Sequence, residues 1–579
     1  MCIRDRANTP WVENALVVTA LKEIESSLAA LEADPDENIM IQIGELGGRA
    51  VSSITAFGQS LVRQEETGFQ QGNDILPALI DGDPNTGWRV FTNTNGAELR
   101  IDMGAVFVLH RIFMRRGVLD NDNQSLRGYE IYANDGDSTN FIGAEPVFAL
   151  IAQNRTHGDP ELDVRFAPQP VRFLKVRSTG ERPFSMGDLE VFGTGVTPFA
   201  RYVSRVIDLG APANFGPVQI AARIDPDAEV LFATKTGTVP DDSLYFRQTG
   251  IPGKFAEVPK SEFSRNLNPR YAGFVRENDR EWSAWSPPYA ALESPLNSPD
   301  NRQYLQFEFR LISNGLLDQA IIDSLTIPYT VPAIADSVLG EISPVTAVLG
   351  EQNRFTYHLR AVISGDKRGF DTVFITTPFP AKATAVEVDG QGVDFTQEAT
   401  DRQLQVVFPD GRIEQNGQEV AIHFESLVTV SGTEFRSEVG DSQSDAFPQR
   451  VIGGDALQSA AGNSLIVSGS IEDRLFTGIH FSSSVITPNG DNTHDELKLN
   501  YTLLKITSPV EVQVTTHSLI GTPVRSLYNQ MDLSGPREIR WDGRDDEGRL
   551  VPPGLYLIRI TANTDAGENT QIRPVAVVY

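Results

Sequence analysis

ELRIDMG, residues 98–104, puts Leu99, Ile101 and Met103 on one side and Glu98, Arg100 and Asp102 on the other. A period of two marks a half-buried β-strand. RQYLQFEFRLIS (302–313) repeats it, with Leu305, Phe307, Phe309 and Leu311 set against Gln306, Glu308 and Arg310. So do Val510, Val512 and Val514, and later Tyr556, Ile558 and Ile560. HRIFMRR (110–116), YEIYAND (129–135), RFLKVRS (172–178), VLFATKTG (230–237), DTVFITTP (371–378) and EVAIHFESLVTV (419–430) read as further strands. Only residues 12–33 carry helical spacing. There Ala15, Leu21, Ile24, Leu28 and Leu31 form a stripe, with Lys22, Glu23 and Glu25 off it, which predicts a helix.

A chain of 579 residues exceeds one core. Strand periods separated by turns rich in Gly and Pro predict an all-β protein of tandem β-sandwiches with a short N-terminal helix. Breaks near GTGVTPFAR (193–201), 334 and 479 divide it. Residues 1–45 are expected to be the helical stub of a truncated region and 46–197 a binding domain. Residues 198–333 are expected to form a second, jelly-roll-like sandwich, 334–478 an Ig-like sandwich, and 479–579 a last Ig-like domain.

Charge narrows the partners. A formal net charge of −28 disfavours nucleic acid and anionic membranes, keeps a protein soluble and can hold divalent cations. No apolar run reaches the roughly 18 residues that a membrane-spanning helix needs. The single cysteine, Cys2, excludes an internal disulfide and a Cys-based zinc site. MCIRDRANTP lacks the pattern of a signal peptide and resembles an assembly-derived start, so a native signal is expected upstream.

LIDGDPNTGWRV (79–90) is dense in turn chemistry: Gly permits positive φ, Pro presets φ, and Asp and Asn cap their own backbone. Trp88 follows the turn into a core. In order come LRIDMG (99–104), VRFLKVRS (171–178) and GDLEVFG (187–193). Over about 50–195 this succession resembles the discoidin family (coagulation-factor type C domains) and the family 32 carbohydrate-binding modules. The resemblance implies a galactose-binding-like jelly roll whose ligand lies on loops at one end of the sandwich. It directs attention to Arg89 and Phe91, to Arg115 and Arg116, to Asp120 and Asp122 in an acidic loop, and to Arg182 with Phe184. Planar polar groups and aromatic faces are what sugar hydroxyls and C–H faces require. It also implies a structural calcium held by Asp81, Asp83, Thr86 and Glu190. Asp81 and Asp83 serve equally well as plain turn caps.

WDGRDDEGRLVPPGLY (541–556) resembles the FlgD Ig-like domain, here in an envelope or secreted setting with possible export or anchoring partners. PNGDNTHDE (488–496) offers Asn489, Asp491, Asn492 and Asp495 but lacks full EF-hand spacing, and an Asx-turn is the simpler expectation. Trp282 and Trp285 suit a sugar platform or a packing edge, and packing is preferred. The motifs H-E-x-x-H, G-x-S-x-G and the P-loop are missing, and no two of the seven histidines stand at i, i+4. The expectation is a non-catalytic, secreted or cell-surface protein that binds glycans or another surface ligand. The alternatives are an accessory region of a carbohydrate-active enzyme and a purely structural adhesin or stalk.

Overall fold

The computed structural model describes residues 2–4, 11, 15–24, 26–44, 46–52, 74–83, 86–91, 94–117, 125–249, 251, 253–264, 273–457, 462–469, 474–565 and 567–579. Strands make almost all of its regular structure, joined by four-residue helical turns at Met40–Ile43, Leu76–Leu79 and Lys260–Phe263. The chain divides into two compact units, Met1–Tyr329 and Thr330–Tyr579.

Within the first unit, residues 34–193 build a sandwich on a seven-stranded sheet. Its spine is two long antiparallel strands, Glu98–Arg116 and Glu161–Ser178, paired from Arg177 opposite Glu98 to Glu161 opposite Arg115. The alternation read from 98–104 continues along the first of them, burying Leu99, Ile101, Met103, Phe107, Leu109 and Ile112. That strand turns at Gly104, where φ is +73° and a Cβ would stand 2.6 Å from the Leu46 carbonyl oxygen. Glycine is therefore required for the close approach. Tyr129–Asn134 continues one half of the sheet, and Phe184–Gly193 with Trp88–Val90 continues the other.

The rest of the first unit is a second sandwich on an eleven-stranded sheet. Here the expected N-terminal helix is overturned. Residues 15–19, 21–24 and 27–30 are strands. Ala15–Thr19 pairs with Phe199–Ser204, and Leu28 and Ala29 pair with Ile322 and Ile321 of Ala320–Thr330. Ala20 has φ +55°, which ends the first strand. Of the expected helical stripe Leu21 and Leu28 are buried, but Ser27, Leu28, Ala29 and Ala30 are buried in succession, as in a strand covered on both faces. Cross-strand pairing outweighs the helix propensity of Leu, Ala and Glu. The described residues of the expected helical stub, 1–45, thus form strands up to Ala33. Glu32–Ala33 pairs with Gly195–Val196, so the chain leaves and re-enters the second sandwich through adjacent strands, and residues 34–193 form an insertion.

The same topology explains a second departure. Gln306 and Glu308 alternate with apolar residues, as read, but both are buried. Glu308 is only 1% exposed, and the guanidiniums of Arg201 and Arg310 bracket it. Desolvation pushes its pKa up, but hydrogen bonds from Arg310 and Arg201 outweigh this and hold it below the usual carboxylate range.

The second unit contains two apolar cores. One lies between a six-stranded and a five-stranded sheet and is filled by Phe355, Tyr357, Phe408, Phe424 and Phe435. The other lies between a three-stranded and a five-stranded sheet around Tyr501, Trp541 and Tyr556. Trp541 is 1% exposed and meets Tyr556 edge to face at 5.5 Å. Its Nε1 donates to the Arg544 carbonyl at 2.9 Å. The Asp542–Arg549 turn is largely exposed, as its charges require. Asp545 is half-buried, accepting from the Glu547 and Arg549 amides.

Candidate functional site

The 81–87 turn follows the helical turn Leu76–Leu79 and delivers Trp88 to the core of the inserted sandwich. At Gly87 φ is +97°, and a Cβ would lie 2.3 Å from the Met186 carbonyl oxygen, so no other residue fits. Trp88 is buried, donates from Nε1 to Ser52 Oγ at 3.0 Å, and packs edge to face on Phe184 at 4.8 Å. This corrects Phe184, proposed above as a ligand residue: it is core. Its parity on the Phe184–Gly193 strand matches that of Met186, which is buried opposite Trp88.

Around Thr86 the turn gathers oxygen. Thr86 Oγ1 lies 2.7 Å from the Asp83 carbonyl, 3.1 Å from the Ala78 carbonyl, and 2.9 and 3.1 Å from the two carboxylate oxygens of Asp81. A hydroxyl carries one proton and satisfies one of these four acceptors. Asp81 Oδ1 also accepts the Asp83 amide at 2.9 Å and the Asp83 carbonyl the Thr86 amide at 3.0 Å, as in a capped turn. An all-oxygen set of carboxylate, carbonyl and hydroxyl groups is also what a hard cation accepts. Among the described residues no three His, Cys, Asp or Glu side chains cluster to hold a metal. The oxygens here are two main-chain carbonyls, one carboxylate and one hydroxyl. Asp81, the Asp83 carbonyl and Thr86 therefore come together as expected, but Glu190 does not join them. Its carboxylate is taken by Arg115, with Nη2 to Oε1 at 3.3 Å. Asp188, two residues earlier on the same strand, reaches the turn instead and accepts from the Gly82 amide at 3.0 Å. GDLEVFG held both acids in one motif, and the choice between them lay in strand geometry.

The other expected ligand residues divide. Trp88–Val90 pairs with Phe184–Met186, placing Arg89 opposite Ser185. Arg116 stands opposite Met186 across the other edge of that strand, and the Gly117 amide donates to the Ser185 carbonyl. Arg89, Phe91, Arg116 and Arg182 thus belong to one end of the sandwich. Phe91 is 43% exposed and Arg182 is exposed. Arg89 Nε and Nη2 are buried and, among the described residues, have no hydrogen-bond acceptor. Ser185 Oγ, buried in the paired position, is also unpartnered, a feature the sequence did not flag. Arg115 lies lower on the strand, bound to Glu190 and stacked on Phe113 at 5.4 Å. Asp120 and Asp122 lie outside the described residues.

Two further motifs have structural roles. Lys235 Nζ lies between the rings of Trp282 and Trp285, at 5.3 and 4.9 Å, and binds Asp242 at 2.7 Å. Those tryptophans are committed to packing. In the 488–496 loop the Asp495 carboxylate accepts the amides of Asn489, Gly490 and Asn492. The amide of Gly490 foremost holds its pKa below the usual range. It is a turn cap.

No known family profile and no curated protein matches this chain. Several solved structures resemble part of it. A family 32 carbohydrate-binding module of NanJ from C. perfringens, solved with galactose, is 17% identical, covers 28% of this chain and 97% of its own, and has a TM-score of 0.19. The lectin domain of lectinolysin, complexed with Lewis B antigen, is 18% identical, covers 28% and 99%, and scores 0.20. A glycoside hydrolase family 29 fucosidase from Ruminococcus gnavus is 16% identical with a TM-score of 0.20, and the match spans only 27% of that chain. Likeness at this level does not identify a ligand.

Proposed function

We propose that this is a non-catalytic, secreted or cell-surface protein that binds glycans through one end of the inserted sandwich. The remaining sandwiches act as spacers or attachment modules. The observation that carries this reading is the pairing of an exposed ring, Phe91, with arginine donors two residues away. Among the described residues, Arg89 Nε and Nη2 are buried without an acceptor. Buried donors left unpaired are costly, and a ligand hydroxyl or carboxylate toward which the Arg89 side chain turns would relieve that cost. A planar guanidinium and an aromatic ring at the same end of the sandwich suit the polar rim and the C–H face of a sugar. A glycan array probed with the full chain tests the reading. A defined set of sugars should bind, and Arg89→Ala or Phe91→Ala should weaken binding about tenfold or more, as expected for the loss of one charge-assisted hydrogen bond or one stacking contact. An array without binders would remove the proposal.

The same reading assigns calcium to Asp81, the Ala78 and Asp83 carbonyls and Thr86, where it would stiffen the turn that sets Arg89. Calcium at about 100 times its dissociation constant should stabilise this domain by about 2.7 kcal/mol. A melting curve should then rise with calcium and fall with chelator in the wild type, and respond to neither in Asp81→Asn. A wild-type curve indifferent to both would dismiss the ion.

A further inference from the structure

We propose that the strand Gly273–Glu277 is a pairing edge through which two copies of this chain associate. It belongs to a three-stranded sheet of the second sandwich, with Ser243–Gln248 in the middle and Phe255–Val258 beyond. All five residues of the strand are exposed, and among the described residues nothing pairs with its outer side. An open edge presents unpaired N–H and C=O groups and is a template for another strand.

An aromatic cluster lies beside this edge. Phe246 and Phe274, opposite each other in the ladder, have ring centroids 5.0 Å apart and planes only 13° apart. Parallel rings that close are stacked face on face, because coplanar rings at this distance would overlap. The stack covers one face of each ring, and Phe274 remains 45% exposed. Phe255 adds an edge-on contact to Phe274 at 5.0 Å and 70°.

The sequence GFVRE specifies the partner as the same strand. A two-fold axis perpendicular to the sheet keeps each side chain on its own face, so the axis must pass through a residue. Centred on Val275, antiparallel pairing joins all five residues: Val275 meets Val275, Phe274 meets Arg276 twice, and Gly273 meets Glu277. Arg276 already lies over an aromatic ring, 5.6 Å from the Phe246 centroid, so opposing Phe274 extends a contact it makes within one chain. Centring on Arg276 would set like charges against each other, and centring on Phe274 pairs only three residues.

Sedimentation of the full chain over a range of concentrations tests this. The mass should rise to twice that of one chain. Phe274→Lys, which faces Arg276 with a second cation, should hold the chain monomeric, and Phe274→Lys with Arg276→Glu should restore the dimer. A wild-type chain that stays monomeric overturns the proposal. So does a dimer untouched by Phe274→Lys, or a double variant that fails to recover.

Discussion

Removing residues 1–33 is expected to abolish cooperative unfolding of the second sandwich while leaving the second unit's transition in place. The deletion strips one partner from Phe199–Ser204 and two, Cys2–Arg4 and Ser27–Ala30, from Ala320–Thr330. It also removes Trp11, which is buried edge-on against Tyr202 at 5.6 Å and bonds the Ser26 carbonyl at 2.9 Å. Loss of one buried tryptophan costs about 3–5 kcal/mol. Adding the buried strand Ser27–Ala30 brings the total to the scale of a domain's whole stability, about 5–15 kcal/mol. Scanning calorimetry of the full and shortened chains should show one transition lost. Were the segment a detachable helix, both traces would match.

Trp541→Ala should destabilise the C-terminal sandwich by about 3–5 kcal/mol. The indole fills the centre of that core, and its N–H ties the strand to the turn that follows. Asp545→Ala should cost less but remain measurable, because its carboxylate gathers two turn amides. Denaturant unfolding followed by tyrosine emission should rank the two. Equal and mild effects would make Trp541 a surface residue.

Strands were legible wherever one face is wet. Leu99 to Met103 and Val510 to Val514 alternate, and the fold uses them that way. The pattern failed where both faces are covered. Ser27–Ala30 lost its alternation there and passed for a helix, and Gln306 and Glu308 passed for solvent-facing. The insertion was illegible because strand pairing between residues 28 and 322 is set by tertiary packing, not local sequence. At the site, turn chemistry placed Asp81, Gly82 and Thr86 together. Which residue reached back to them depended on an irregularity in the ladder between Met186 and Leu189, which sends Asp188 to the turn and leaves Glu190 to Arg115. Phe184 was assigned to the loops but lies one step inside the strand, within reach of Trp88.

Hydrogen exchange of the full chain, free and saturated with the best sugar from the array, tests the central claim most directly. Protection should increase in peptides covering 86–91, 111–117 and 179–186, and little elsewhere. Unchanged exchange at that end, or protection confined to the other sandwiches, would contradict the account.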